Sequence, residues 1–230
     1  MRGFSFPLLG CVVLLAGCQF MTQDQHDTTT QSVIAQTEQQ APMPPIQGLD
    51  AEGVTALLSA EIAGQRDQVD YALRVYLEQA SRMQQPNLAR RATYIAQYAG
   101  DNESAVEAAA LWSESDPDNV EAHRINATLL VQQGDLLSAF EHQKQLLQLE
   151  EKTHFSYLAS QSERKAPAIR EELLINLQSL RPNFPQHADL LTAIAQLLTF
   201  KNQHSKALEA VNEALAIKAD DISAILLKAG

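Results

Sequence analysis

The sequence of 230 residues lacks the features that indicate a nucleic-acid-binding protein, an all-β fold or a membrane-spanning helix. It has 17 Lys and Arg against 28 Asp and Glu, a formal net charge of −11, so it has no basic excess to neutralise many phosphates. Aromatic residues make up only 6%, and long alternations of Val, Ile, Thr and Tyr are absent, which argues against an all-β fold. No apolar run reaches the ~20 residues that a transmembrane helix needs. The hydrophobic content of 45% is nevertheless ordinary for a protein with a folded core.

Cysteine is also scarce, and the only two cysteines, Cys11 and Cys18, lie near the N-terminus. A basic start and a short apolar stretch from Phe4 to Ala16 are typical of a secretory signal peptide, here residues 1–17. The sequence Leu15-Ala16-Gly17-Cys18 resembles the lipobox of bacterial lipoproteins, in which the chain is cleaved before the cysteine and the cysteine is acylated. This resemblance implies Cys18 as the lipidation site. Because Cys11 leaves with the signal, the mature chain then has no thiol for a disulfide, a metal or a nucleophile. An ordinary signal peptide with a chance cysteine is the alternative.

The residues after Cys18 predict a flexible tether and a location. Lipoproteins with Asp after the cysteine tend to stay at the inner membrane, so Gln19 implies an outer-membrane lipid anchor facing the periplasm. Residues 19–48 contain eight Gln, five Thr and several Pro, and they cannot bury enough apolar surface to offset the entropy of ordering. We therefore predict a disordered tether over residues 18–48, which as a random coil would span ~30 Å.

Beyond residue 48 the sequence repeats with a period of 34 residues. Small residues that precede apolar helical patterns recur at steps of 33, 34 and 68, at Ala72, Ala105, Ala139 and Ala207. Pro117 and Pro185 are also 68 residues apart, and two Gly-Asp pairs, at 100–101 and 134–135, are 34 apart. A period of 34 is typical of the tetratricopeptide repeat, a helix–turn–helix unit. The predicted fold over residues 49–230 is therefore an all-α, right-handed superhelical solenoid of antiparallel helix pairs.

This frame predicts five repeats and the start of a sixth at Ile222, with ranges 53–85, 86–119, 120–153, 154–187 and 188–221. The fourth repeat departs most from the pattern: Gln161 and Leu173 replace small residues, Arg164 stands where an aromatic is usual, and Pro167 shortens the first helix. We expect a distorted or wider helix pair there. Simple sequence drift, a hinge and a binding feature are the alternative explanations. The last nine residues begin another first helix without a polar cap, so we expect the array to continue in a longer protein. The alternative is a natural end that is covered by a partner or by self-association.

The sequence contains no recognisable catalytic, cofactor or metal-binding motif. Its six histidines are scattered without metal-ligand spacing, and there is no Gly-rich phosphate loop and no GxSxG. His123 occupies an interior position of a first helix, where packing alone explains it. We therefore predict a protein that is not an enzyme, without cofactor, metal or catalytic residues.

The remaining candidate is a protein-binding surface on the concave face, which first helices line in tetratricopeptide proteins. Repeat positions 2, 5, 9, 12 and 13 commonly face that groove, and they predict the protein-binding residues Arg90, Tyr94, Gln97, Tyr98, Arg124, Thr128, Gln132 and Gln196. The same positions include Asn87, Glu121, Val131, Asp189, Thr192, Thr199 and Phe200. Arg and Tyr side chains on neighbouring turns could hold a peptide's carboxylate, backbone or apolar side chains. A mixed polar face is also what any solvated helix shows.

A closer resemblance lies in Ala63-Gly64-Gln65-Arg66, the run Tyr71 to Leu77, Ala89 to Ala96, Leu111-Trp112 and Pro117-Asp118-Asn119. These segments resemble the tetratricopeptide outer-membrane lipoproteins of pseudomonads and their relatives. In that family the protein is an adaptor that binds a periplasmic carboxyl-terminal processing protease and brings it substrates such as peptidoglycan hydrolases. The resemblance implies the same role here, with periplasmic protein partners, a membrane anchor through acyl chains and no nucleic acid. The alternative is a pilotin or outer-membrane assembly accessory lipoprotein that uses the same groove.

Overall fold

A computed structural model describes residues 50–229, in which every regular element is helical. The predicted all-α fold is confirmed. The signal peptide, Cys18 and the predicted tether lie outside the described residues. The helices of the described part are α1 (Ala51–Gly64), α2 (Val69–Met83), α3 (Pro86–Ala99), α4 (Asn102–Ser115), α5 (Val120–Gln133), α6 (Leu136–Gln148), α7 (Phe155–Gln161), α8 (Pro167–Leu180), α9 (Ala188–Phe200), α10 (His204–Ile217) and α11 (Ile222–Ala229), with a 3₁₀ turn at Ser162–Arg164.

The helices form hairpins that stack in chain order. α1 packs on α2, α3 on α4, α5 on α6 and α9 on α10, and each second helix also packs on the first helix of the next unit. First helices begin at steps of 35, 34, 35, 33 and 34 residues, at Ala51, Pro86, Val120, Phe155, Ala188 and Ile222. The repeated sequence therefore forms a repeated structure, a solenoid in which each unit is stabilised mainly by its neighbours.

Local sequence signals explain where the regular helices begin and end. The side chains of Asp101 and Asp135 cap α4 and α6 by accepting hydrogen bonds from backbone N–H groups three residues on, both at 3.1 Å. Gly100 and Gly134 end α3 and α5 in the left-handed region, with φ of 73° and 84°. Glycine adopts this conformation without the steric cost that a Cβ imposes.

Small side chains at the crossing points let the helices approach closely. Ala60, Ala105, Ala127 and Ala139 are fully buried there. Larger side chains fill the space between units, among them Trp112, which is 1% exposed and packs between α2, α3 and α5. These contacts give the stack a continuous core, because close packing is what the interior of a folded protein requires.

The fourth unit is distorted, as its sequence predicts. α7 has only seven residues before the 3₁₀ turn, and α8 starts at Pro167, whose missing N–H and fixed φ suit the first position of a helix. Leu173 is fully buried in the core that the third, fourth and fifth units share. α7 packs mainly on α9, while α8 packs on α9 and α6, so these two helices do not form a hairpin like the others.

Asp189 of α9 holds the short helix α7 in place. Its carboxylate accepts hydrogen bonds from the N–H groups of Phe155 and Ser156, at 2.7 and 3.2 Å, and from the hydroxyls of Thr153 and Ser156, at 2.8 and 2.5 Å. A seven-residue helix is too short to be stable alone, so this cap from another unit compensates for its length. The prediction that Asp189 faces a groove ligand is therefore wrong: its carboxylate oxygens already accept hydrogen bonds from α7.

A histidine pair joins α5 to α6. His123 Nε2 lies 2.7 Å from the Pro117 carbonyl oxygen, so this nitrogen carries the hydrogen and donates it. His123 Nδ1 then accepts from His142 Nδ1, 2.9 Å away. Packing alone does not account for His123, since it also bonds a second histidine 19 residues along the chain.

Burial, with a smaller contribution from the neighbouring His123, lowers the pKa of His142 to about 4, while Glu141 opposes the shift. The unfolded chain binds a proton at His142 below its ordinary pKa of 6.5, and the folded chain does so only near 4. Stability is therefore lost as the pH falls from 6.5 towards 4. We expect protonation of His142 to lower the free energy of unfolding by about 1–2 kcal/mol over this range, allowing for the partial exposure of the side chain.

Urea denaturation at several pH values measures this loss. His142→Asn keeps a side-chain N–H for His123 but cannot be protonated, so its stability should depend less on pH between 6.5 and 4. Parallel pH profiles of the two proteins would contradict the assignment.

Candidate protein-binding groove

A cleft of about 420 Å³ opens between α1 and α3, with α2 as its floor. We call it the α1–α3 cleft. Its lining comes from two consecutive first helices and the second helix between them: Ala60, Glu61, Gly64, Gln65, Val69, Ala72, Tyr76, Arg91, Tyr94, Ile95 and Tyr98. Small residues at Ala60, Gly64 and Ala72 leave the space that larger side chains would occupy.

Glu61, Tyr76 and Arg91 bond to one another and form the polar wall of the cleft. Arg91 Nη2 lies 3.2 Å from both carboxylate oxygens of Glu61, and the hydroxyl of Tyr76 donates to the same carboxylate. The guanidinium carbon of Arg91 lies 5.9 Å from the centroid of the Tyr76 ring. Burial, together with the hydrogen bond to Glu61, raises the pKa of Tyr76 to about 12, so its hydroxyl stays protonated and donating at neutral pH.

Two tyrosines one turn apart on α3 form the open side. Tyr98 is 81% exposed and Tyr94 is 39% exposed. The Tyr94 ring packs edge-on against Trp112, with centroids 6.1 Å apart, and its hydroxyl donates to Glu121 on α5 at 2.6 Å. Tyr94 is therefore held by the fold, while Tyr98 presents an apolar ring and a hydroxyl to solvent, the combination found at binding hot spots.

The structure brings some of the predicted groove residues together and separates others. Tyr94 and Tyr98 line the α1–α3 cleft, and Gln132 lines a second cavity beside α7. Arg90 and Gln97 are exposed on α3 but line neither cavity. Gln196 is half-buried on α9.

Two predicted residues of α5, Arg124 and Thr128, have partners within the protein. Arg124 forms an ion pair with Glu151 at 3.3 Å, and the hydroxyl of Thr128 donates to the carbonyl of Arg124 at 2.8 Å. Both remain solvent-exposed. Thr192 is 1% exposed and donates to the carbonyl of Ala188, so the prediction that it lines an open groove is wrong.

Sequence reasoning missed Glu61, Tyr76 and Arg91 as cleft residues. Arg91 stands one position after the predicted Arg90, and its side chain points to α1 and not along the outer side of α3. Its opposite charge to Glu61, 30 residues earlier and thus near one repeat away, is the signal that could have indicated the contact.

Two negative observations apply to the described range only. Residues 50–229 contain no group of three or more His, Cys, Asp or Glu side chains arranged to hold a metal ion. None of the helices in this range has the length and apolarity needed to cross a membrane.

The stacked hairpins, their 34-residue spacing and the cleft between consecutive first helices define a tetratricopeptide-repeat solenoid. The chain is 30% identical over 224 residues to the TPR repeat-containing protein PA4667 of Pseudomonas aeruginosa. This alignment covers 97% of the chain but only 38% of that relative's length. No protein-family model matches the chain.

Solved tetratricopeptide structures are similar at a lower level. YrrB, described as a TPR protein with an unusual peptide-binding site, shares 16% identity at a TM-score of 0.45, over 77% of this chain and 92% of YrrB. MamA from Desulfovibrio magneticus RS-1 shares 13% sequence identity at a TM-score of 0.42, over 76% of this chain and 99% of that one. A thermophilic TPR protein from Thermus thermophilus shares 15% sequence identity at a TM-score of 0.39, over 77% of this chain and 97% of that one.

Proposed function

We propose that this chain is a membrane-anchored scaffold that binds periplasmic proteins through its concave groove. Its role would be that of an adaptor lipoprotein, which brings a carboxyl-terminal processing protease together with substrates such as peptidoglycan hydrolases. The observation that carries the proposal is the α1–α3 cleft, where the hydrogen-bonded polar wall lies beside the exposed ring of Tyr98.

The chemistry of the cleft suits binding better than catalysis. Glu61 already accepts hydrogen bonds from Tyr76 and Arg91, so its carboxylate is engaged as a structural acceptor. The raised pKa of Tyr76 keeps that phenol neutral. What the cleft offers a partner is therefore apolar surface, aromatic rings and fixed polar groups, the usual content of a recognition site.

Lipid anchorage at Cys18 would give this groove its biological effect. An acylated cysteine and a tether that spans ~30 Å would confine the solenoid to a thin layer at the membrane. Two proteins held by one anchored scaffold meet at a raised effective concentration without any new catalytic group.

The test is a binding experiment with the protein of the complete reading frame, carrying Cys18→Ser. We expect this variant to lose membrane association, because it cannot be acylated, and still to retain the purified processing protease in a pull-down. The wild-type protein in detergent is the control. Absence of association at micromolar concentrations for both forms would reject the adaptor role. Selective retention of a secretin or a barrel protein would support the accessory role instead.

A further inference from the structure

A second cavity, of about 400 Å³, opens where the third unit meets the distorted fourth unit. We call it the α5–α7 pocket. Its lining consists of Val131, Gln132, Gln133, Gly134, Leu136, Tyr157, Gln161, Arg164 and Lys165. Gln132 follows Tyr98 by 34 residues and so holds the equivalent position on the next first helix. The two cavities therefore share one face of the stack, with the α1–α3 cleft between the first and second units and the pocket between the third and fourth.

The pocket exists because α7 ends early. The chain turns at Ser162–Arg164, and this 3₁₀ turn sends Lys165 towards the end of α5. Arg170 fixes the turn, since its Nη1 donates to the carbonyl oxygens of Ser162, Glu163 and Lys165 at 3.4, 3.0 and 2.5 Å. The cations that the turn carries are thus presented by a fixed backbone.

Gly134 makes room for one of these cations. A Cβ added at Gly134 would collide with the Nζ of Lys165 and stand 3.3 Å from its Cε. The ammonium group therefore occupies the space that a side chain at position 134, directly after α5, would fill. Gly100, at the same place in the preceding unit, has no atom within 4 Å of an added Cβ.

The charge of the pocket is uncompensated by the residues that the structure describes. Neither Arg164 nor Lys165 has a carboxylate oxygen within 4 Å in that range, and no acidic side chain lines the pocket. The other polar lining groups are neutral: the amides of Gln132, Gln133 and Gln161 and the hydroxyl of Tyr157. This is a donor-rich, positive pocket in a chain whose net charge is −11.

We propose that the α5–α7 pocket binds a carboxylate of a polypeptide that lies along the groove. A guanidinium fork and an ammonium group are the partners that a carboxylate prefers, and the amides can complete its hydrogen bonds. The carboxylate comes either from the peptide's C-terminus or from an Asp or Glu side chain. This inference rests on the proposed function, because it assumes that the groove holds a polypeptide.

The test begins with a random dodecapeptide library with free C-termini, selected on the full chain in detergent. Selected peptides are synthesised as the free acid, as the C-terminal amide and with each Glu or Asp replaced by the amide, and dissociation constants are measured by fluorescence anisotropy. We expect one neutralised form to bind the wild-type chain about tenfold more weakly than the free acid does. We also expect the free acid to bind Arg164→Gln about tenfold more weakly than it binds the wild type. A loss with the C-terminal amide identifies the terminus as the source, and a loss with Glu→Gln or Asp→Asn identifies a side chain.

Matched variants separate the pocket from general effects. Lys206→Gln removes an exposed cation on α10 that lines neither cavity, and should leave binding unchanged. Gly134→Ala and Gly100→Ala strain equivalent backbone positions, but only the first displaces Lys165, so only the first should weaken binding. Circular dichroism melting verifies that each variant is folded.

Two failures are distinguishable. Peptides that depend on Tyr98 but bind equally well without their carboxylates, or to Arg164→Gln, overturn the carboxylate site and leave the groove function intact. A library from which no peptide binds the folded chain overturns the groove function and the pocket together.

Discussion

Replacing Asp189 with Ala is expected to lower the free energy of unfolding by about 3 kcal/mol, since it removes charge-assisted hydrogen bonds to two N–H groups and two hydroxyls. The donors that lose their acceptor lie at the start of the fourth unit or directly before it, whereas Asp189 belongs to the fifth. The loss of stability should therefore be larger than that from removing a cap within one helix. α7 would lose the anchor of its first turn, and the core side chain Phe155 would lose its fixed position.

Urea denaturation and amide hydrogen exchange at Phe155 and Ser156 measure this effect. The matched control is Asp101→Ala, which removes a cap from within its own helix α4 and should cost about 1 kcal/mol. Asp189→Asn keeps the shape but not the charge and should fall between them. If Asp189→Ala costs no more than Asp101→Ala, the contact between the fourth and fifth units does not depend on this carboxylate.

Replacing Tyr98 with Ala is expected to weaken binding of a groove-bound peptide by about 30-fold, equivalent to ~2 kcal/mol. Tyr98 is 81% exposed, so its removal should leave the stability of the fold almost unchanged. A large effect on binding with a small effect on stability is the signature of a contact residue.

Library-selected peptides measured by fluorescence anisotropy test this expectation, and thermal melting provides the stability comparison. Ile175→Ala is the control, because Ile175 is 58% exposed on α8 and lines neither cavity. Equal losses for Tyr98→Ala and Ile175→Ala would show that the α1–α3 cleft is not the binding surface.

The two cavities suggest why the fourth unit is irregular. Its short first helix leaves the space that becomes the α5–α7 pocket, and the same turn carries Arg164 and Lys165 into it. Asp189 stabilises the unit from the following helix, which allows α7 to be short without becoming loose. Two of the residues that break the repeat pattern in sequence, Gln161 and Arg164, thus line the pocket.

The sequence by itself determined the helical hairpins, the shortened helix before Pro167 and the positions of Tyr94 and Tyr98 on one face. These features are local or periodic: a helix follows from spacing and caps within a few residues, and a 34-residue period repeats the same local solution. Only the tertiary structure decided that Arg91 faces the cleft, that Thr192 is buried, that Asp189 caps α7 and that His123 meets His142. Each of these depends on side chains 19 to 36 residues apart in sequence, or on the small rotation between packed helices, and neither is encoded in the pattern of a single helix.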